Sequence, residues 1–133
     1  MIGTTLKDFP NLYRDTWQAI IEGAMGCEEL NKFFHLPCHM ILADGTPVDI
    51  ATPSDLVAFN EQRRAEFLRG GVTVARLCGS DLTTQGSHTA LITANWELLR
   101  ADGTLERSWR HFYTMIRPDK SWVIVVSAFR AGS

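Results

Sequence analysis

Residues 87–129 read as three long strands in succession, and this run restricts the fold more than any other part of the chain. The runs are Ser87–Arg100, Thr104–Ile116 and Ser121–Phe129. Asp102-Gly103 separates the first two, and Asp-Gly is a strong signal for a two-residue hairpin turn. Pro118-Asp119-Lys120 separates the last two. A meander of this kind builds an antiparallel sheet with two unequal faces. With Asp102-Gly103 as the loop, Ala101 faces Thr104, and the register sets Trp96 opposite Trp109, Ala94 opposite His111, Ile92 opposite Tyr113 and Leu98 opposite Arg107. Successive side chains alternate between faces. One face then carries Ile92, Ala94, Trp96, Leu98, Trp109, His111, Tyr113 and Met115. The other carries Thr93, Asn95, Glu97, Ser108, Arg110, Phe112 and Thr114. The first is the more apolar and is expected on the concave side. The second is expected to meet water or a partner subunit, with Asn95, Glu97 and Arg110 near enough for a polar cross-strand cluster. A slip of one residue would exchange the faces.

Helices precede this meander. Over residues 11–24, Leu12, Tyr13, Thr16, Trp17, Ile20, Ile21 and Ala24 recur at helical spacing, with Pro10 near the start and Gly26 as the stop. A shorter helix follows from Glu28 to Phe34. Pro37 then forces extended chain. Residues 38–43 and 46–51 flank Asp44-Gly45, a second hairpin signal, and Pro47 places the return strand at an edge. Thr52-Pro53-Ser54-Asp55 starts a helix that runs to about Arg69. Its expected inner stripe is Leu56, Phe59, Arg63 and Phe67, and Gly70-Gly71 ends it. Residues 72–84 form a further strand, with Gly79 at a bulge. No linker, repeat or low-complexity stretch divides the chain, so residues 1–133 read as a single domain. Helices followed by strands give the α+β class. The expected architecture is a curved, mostly antiparallel sheet wrapped around the N-terminal helices as a cone, with a pocket at its mouth.

Composition excludes several classes. With 15 acids against 13 bases, the net charge is −2, and no Lys/Arg run exceeds two residues. Neither nucleic acid nor a membrane is an expected partner. No apolar run approaches the ~20 residues needed to span a bilayer. The N-terminus lacks the apolar segment of a secretory signal. Cys27, Cys38 and Cys78 form no C-x-x-C pair, and the expectation is free thiols in the cytoplasm.

The element order, Phe34-His-Leu-Pro-Cys38 and Arg117-Pro-Asp-Lys-Ser-Trp-Val-Ile124 resemble the nuclear transport factor 2-like (NTF2-like) superfamily, also called cystatin-like in fold. It includes SnoaL-like polyketide cyclases, ketosteroid isomerase and scytalone dehydratase. Its members close a helix on a Phe before the first strand and place Trp-x-Ile after a charged turn near the end. The resemblance implies a cone, a pocket at its open end and a homodimer through the sheet. The ketosteroid isomerase residues do not carry over. Its tyrosine falls near Trp17, its aspartate base near Ile41 or Leu42, and its second carboxylic acid on Arg110. Scytalone dehydratase works with pocket histidines and tyrosines, parts that His111, Tyr113 and Tyr13 would take.

His111 with Tyr113 is the leading acid/base candidate, base and donor respectively, on a face flanked by tryptophans. The competing reading is a core histidine satisfied by its neighbours. Arg63 either holds a substrate carboxylate or snorkels at the surface. Tyr13, Trp17, Phe34, Phe59, Trp96 and Trp109 are the expected apolar lining. His35-Leu-Pro-Cys38-His39 looks like a metal cluster and fails on geometry. In extended chain the two histidines stand about 13 Å apart, and Cys38 points away from His39. No metal or cofactor is expected. The expected function is binding a small hydrophobic organic molecule, with cofactor-free isomerase, cyclase or dehydratase chemistry. The alternatives are a non-catalytic binding or sensing module, or a dimeric interaction domain.

Overall fold

The computed structural model describes residues 4–129, so the remaining terminal residues of the expected domain lie outside it. The elements are α1 (Phe9–Ile21), a 3-10 helix (Cys27–Phe33), β1 (Phe34–Ile41), β2 (Pro47–Ile50), α2 (Pro53–Arg69), β3 (Val72–Thr84), β4 (Thr89–Arg100), β5 (Leu105–Ile116) and β6 (Val123–Phe129). They form a six-stranded sheet in the order β2-β1-β6-β5-β4-β3. All neighbours are antiparallel except β1 and β6, which run parallel. The helices cover the concave face, in the expected α+β cone. Among the described residues, no helix is long and apolar enough to cross a membrane.

Trp96 pairs with Trp109, Ala94 with His111, Ile92 with Tyr113 and Leu98 with Arg107, as the meander predicts. The turn reaches that register by another route. Arg100 donates its N–H to the Thr104 carbonyl at 2.9 Å, so the loop has three residues, Ala101 to Gly103, and Gly103 takes φ +85°. That pairing alone would put the strands one residue out of step. Glu106 then stands unpaired between Leu105, opposite Leu99, and Arg107, opposite Leu98. This bulge restores the register. The β1–β2 turn repeats the chemistry. Leu42 donates to the Thr46 carbonyl, Gly45 takes φ +90°, and Asp44 Oδ1 accepts from Thr46 N–H, as Asp102 Oδ1 does from Thr104 N–H.

Two boundaries and one side-chain cluster differ from the sequence reading. β1 begins at Phe34 and passes straight through Pro37, because its bulged pairing with β6 spares the proline a ladder bond. α1 stops at Ile21. Gly23, at φ +82°, lets Ala24 N–H reach back to the Ala19 carbonyl at 2.8 Å, a Schellman closure that ends the helix before Gly26. The expected polar cluster on the outer face divides: Arg110 donates to Asn95, while Glu97 pairs with Arg76 of β3.

α1 lies along the free edge of β3. Gln18 accepts from Ala75 N–H at 2.8 Å and donates to the Thr73 carbonyl at 2.9 Å. α2 begins at Thr52, whose hydroxyl accepts from Asp55 N–H at 3.2 Å. Arg64 of α2 donates to the Ile20 carbonyl, capping the end of α1. The buried stripe of α2 is Leu56, Asn60 and Phe67, with Arg63 and Phe59 half-buried. Asn60 is fully enclosed, and neither amide atom has a hydrogen-bond partner among the described residues. An unpaired buried amide costs about 1–3 kcal/mol in lost hydration. Asn60→Leu should therefore raise the unfolding free energy by about 1 kcal/mol, read as a higher urea midpoint at unchanged slope.

Candidate functional site

α2, the β1–β2 turn, the start of β5 and the end of β6 enclose an open cavity of ≈ 340 Å³ at the cone's mouth. Phe59, Arg63, Glu66 and Phe67 come from α2 at helical spacing and form one wall. Trp109 and Phe129 form the opposite wall, and Leu42 and Ala43 the rim. Below it lies a recess of ≈ 20 Å³, room for about one water-sized group. Tyr13, Trp17, Trp96 and Tyr113 line the recess. Arg63, Phe67 and Trp109 belong to both spaces and form the partition between them.

Arg63 is half-buried, and its guanidinium lies 4.5 Å from the Phe129 ring centre, 5.2 Å from that of Trp17 and 5.7 Å from that of Phe67. These ring faces attract a cation. Burial nonetheless lowers its pKa from the usual arginine range. Tyr13, Tyr113 and Glu66 act in the opposite sense, and Arg107 adds to the depression. Arg107 is held by Glu106, with Nε 2.8 Å from Oε2.

Tyr113 accepts a hydrogen bond from Trp96 Nε1 at 3.1 Å. Burial pushes its phenol well above the ordinary value, and Tyr13 is raised by burial against the pull of Arg63. Both remain protonated at neutral pH, and each can donate from its O–H into the recess.

His111 sits elsewhere. It is 1% exposed and lines neither space. Trp109 Nε1 donates to its Nδ1 at 3.0 Å, and its Nε2 lies 2.6 Å from Ser127 Oγ. Indole is a donor only, so Nδ1 is unprotonated and Nε2–H points at the serine. The ring packs between Tyr113 and Phe129, with centres 4.5 and 4.4 Å away. Burial drives its pKa well below 6.5, with the Arg63 charge acting in the same direction. Both nitrogens are thus occupied, and no lone pair of the ring faces the cavity. Here the core reading of this histidine fits.

The remaining residues divide between wall and core. Phe59, Arg63 and Trp109 reach the mouth, while Tyr13, Trp17, Trp96 and Tyr113 reach the recess. Phe34 packs against Tyr13 at 6.2 Å and touches neither space. Gln62, Glu66, Arg107, Ser108, Leu42, Ala43 and Phe129 complete the mouth without having been singled out by the sequence. Helical spacing from Phe59 and Arg63 carries a signal for Gln62 and Glu66. His39 pairs with Asp49 at 2.6 Å and faces away from buried Cys38. The described residues hold no grouping of three metal-ligating side chains. Burial raises the Cys27 and Cys38 thiols to about 12 and about 11, leaving them protonated and poor nucleophiles.

The chain matches the family described as "NTF2-like protein (DUF6841)" over residues 6–131. Among curated proteins, none matches. An NTF2-like protein with a cystatin-like fold from Novosphingobium aromaticivorans is 17% identical, with a TM-score of 0.71, over 95% of this chain and 80% of that one. Aln2 from a Streptomyces species is 12% identical, with a TM-score of 0.69, over 97% of this chain and 94% of its own. A domain of unknown function with a cystatin-like fold from Nostoc punctiforme is 18% identical, with a TM-score of 0.65, over 98% and 80%. At these identities the likeness is one of fold.

The depressed pKa of His111 has a consequence for stability. The unfolded histidine, with a pKa of about 6.5, binds a proton that the folded one resists. Stability is therefore full above about pH 6.5 and declines as pH falls below it, down to the folded pKa. In His111→Gln the decline over this range should be shallower while stability at pH 8 is lower, as read by urea unfolding at a series of pH values.

Proposed function

This chain belongs to the NTF2-like family DUF6841, and on that footing we propose that it binds a small, largely apolar organic molecule in the mouth of the cone. The carrying observation is the ≈ 340 Å³ space walled by Phe59, Phe67, Trp109 and Phe129. Its size falls within the range of small-molecule sites, and aromatic walls with a few polar groups are their usual lining. Binding without turnover is the better-supported form of this reading, since His111 lacks a free nitrogen for proton transfer. Pairing of two copies through the outer sheet face is a compatible second reading, favoured by Phe112 and Leu91 exposed on that face.

Thermal unfolding with the neutral bicyclic probe 2-naphthol tests the binding reading. At a hundredfold excess over Kd, the midpoint should rise by roughly 5–10 °C. Ala43→Trp, which places an indole at the rim, should keep the fold and lose the shift. A shift surviving in Ala43→Trp would move the site elsewhere, and the absence of any shift in the wild type would remove the reading. Chemical conversion of a bound molecule would replace it with a catalytic one.

A further inference from the structure

Arg63 differs from the other arginines of the described residues in its surroundings. Arg64, Arg76, Arg100, Arg107, Arg110 and Arg117 each donate to a carbonyl, amide or carboxylate oxygen of the protein. Arg14 pairs with Asp15, and Arg69 lies exposed. Arg63 is half-buried, stands on the cavity wall, and takes part in no ion pair among the described residues. Its neighbours are the ring faces of Phe129, Trp17 and Phe67, which attract its charge, and the Tyr13 hydroxyl, a neutral acceptor that supplies no counter-charge. Glu66 shares the cavity wall without reaching ion-pair distance, and Arg107 adds a second positive charge there, itself tied to Glu106.

A guanidinium presents a planar fork of donors that matches a carboxylate in a bidentate pair. Among the described residues the fork meets no carboxylate, its polar neighbour being the neutral Tyr13 hydroxyl, while Phe59, Phe67, Trp109 and Phe129 give the lining its apolar surface. A ligand that satisfies both features has an anionic, planar head and an apolar body. We propose that the natural ligand of the cavity is a small aromatic or otherwise hydrophobic carboxylic acid, bound as its carboxylate by Arg63 with its apolar body between Phe59, Trp109 and Phe129. This rests on the binding reading above and adds the charge and the orientation of the ligand. The head lies at the partition, where the Arg63 wall adjoins the recess, and the body extends toward the rim at Leu42 and Ala43. The protonated Tyr13 and Tyr113 hydroxyls on the recess side of that partition favour a negative over a positive head. Glu66 on the same wall disfavours a second acidic group on the body.

Calorimetric titration at pH 7 with 2-naphthoic acid, 2-naphthamide and 2-naphthol tests the inference. The acid and amide share shape and area and differ in charge. The wild type should bind the acid on the order of tenfold to a hundredfold more tightly than the amide. In Arg63→Met, which keeps the unbranched stem, acid and amide should bind alike, at the strength of the wild type for the amide. Arg63→Lys should restore part of the preference, as a charge without the fork. Arg110→Gln, on the outer sheet face, should leave the preference intact. Equal binding of acid and amide by the wild type, with 2-naphthol still bound, would overturn the carboxylate inference and leave the pocket standing. A preference that survives in Arg63→Met would overturn it as well, by placing the anion elsewhere. Failure of all three probes to bind would remove the binding reading and this inference together.

Discussion

The pairing of β4 with β5 sets which side chains face the helices, and the cavity inherits its chemistry from that register. Trp96 and Trp109 stand opposite each other on the concave face, and His111 and Tyr113 continue the column. A shift of β5 by one residue would turn Trp109, His111 and Tyr113 outward and bring Arg110 and Phe112 in. The register depends on two compensating irregularities, a three-residue turn and the extra residue Glu106. That same bulge sets Glu106 beside Arg107, whose charge it occupies, so Arg107 and Arg63 meet the cavity in different electrostatic states.

Buried polar groups on the concave face form short, closed chains. Trp109 donates to His111, which reaches Ser127, and Trp96 donates to Tyr113. Each chain joins neighbouring strands across the sheet and fixes an aromatic ring at the cavity or its recess. The indole of Trp109 is oriented by a histidine behind it, so His111 serves the site as a support for its wall. Interiors of low dielectric reward such complete pairing and penalise a missing partner. Asn60 shows the contrary case, enclosed on α2 with no partner for either amide atom among the described residues.

Much of this was legible in the sequence because periodicity determines faces. Alternation over residues 91–115 divided inner from outer side chains, and the Thr52-Pro53 start located α2. Faces do not reveal hydrogen-bond partners, however. His111 was correctly placed inside, yet only the packing of Trp109 and Ser127 decides that neither nitrogen is available. Spacing and apolarity put Phe59 in the α2 stripe, whereas Asn60 is the residue fully buried there. Adjacent positions on a helix differ by about 100°, and a helix wedged between a sheet and a 3-10 segment buries more than one stripe, so apolarity alone does not reveal that polar Asn60 lies deeper than Phe59. Phe129 reaches the cavity because β6 carries an extra residue against β5, Val125, between Ile124 and Val126. Nothing in a run of Val-Ile-Val-Val marks where such a shift occurs.

Gln18 gives α1 a role beyond covering the core. Its amide oxygen and nitrogen meet Ala75 N–H and the Thr73 carbonyl, the two groups that a seventh strand would use. A single side chain thus imitates one peptide unit of a missing neighbour at the outermost strand. Open sheet edges recruit other chains by continuing the ladder. Here growth is blocked at the helix-covered half of β3, while the half from Gly79 to Thr84 stays exposed. At this edge of the sheet, the ladder is open to a further strand only over that distal half.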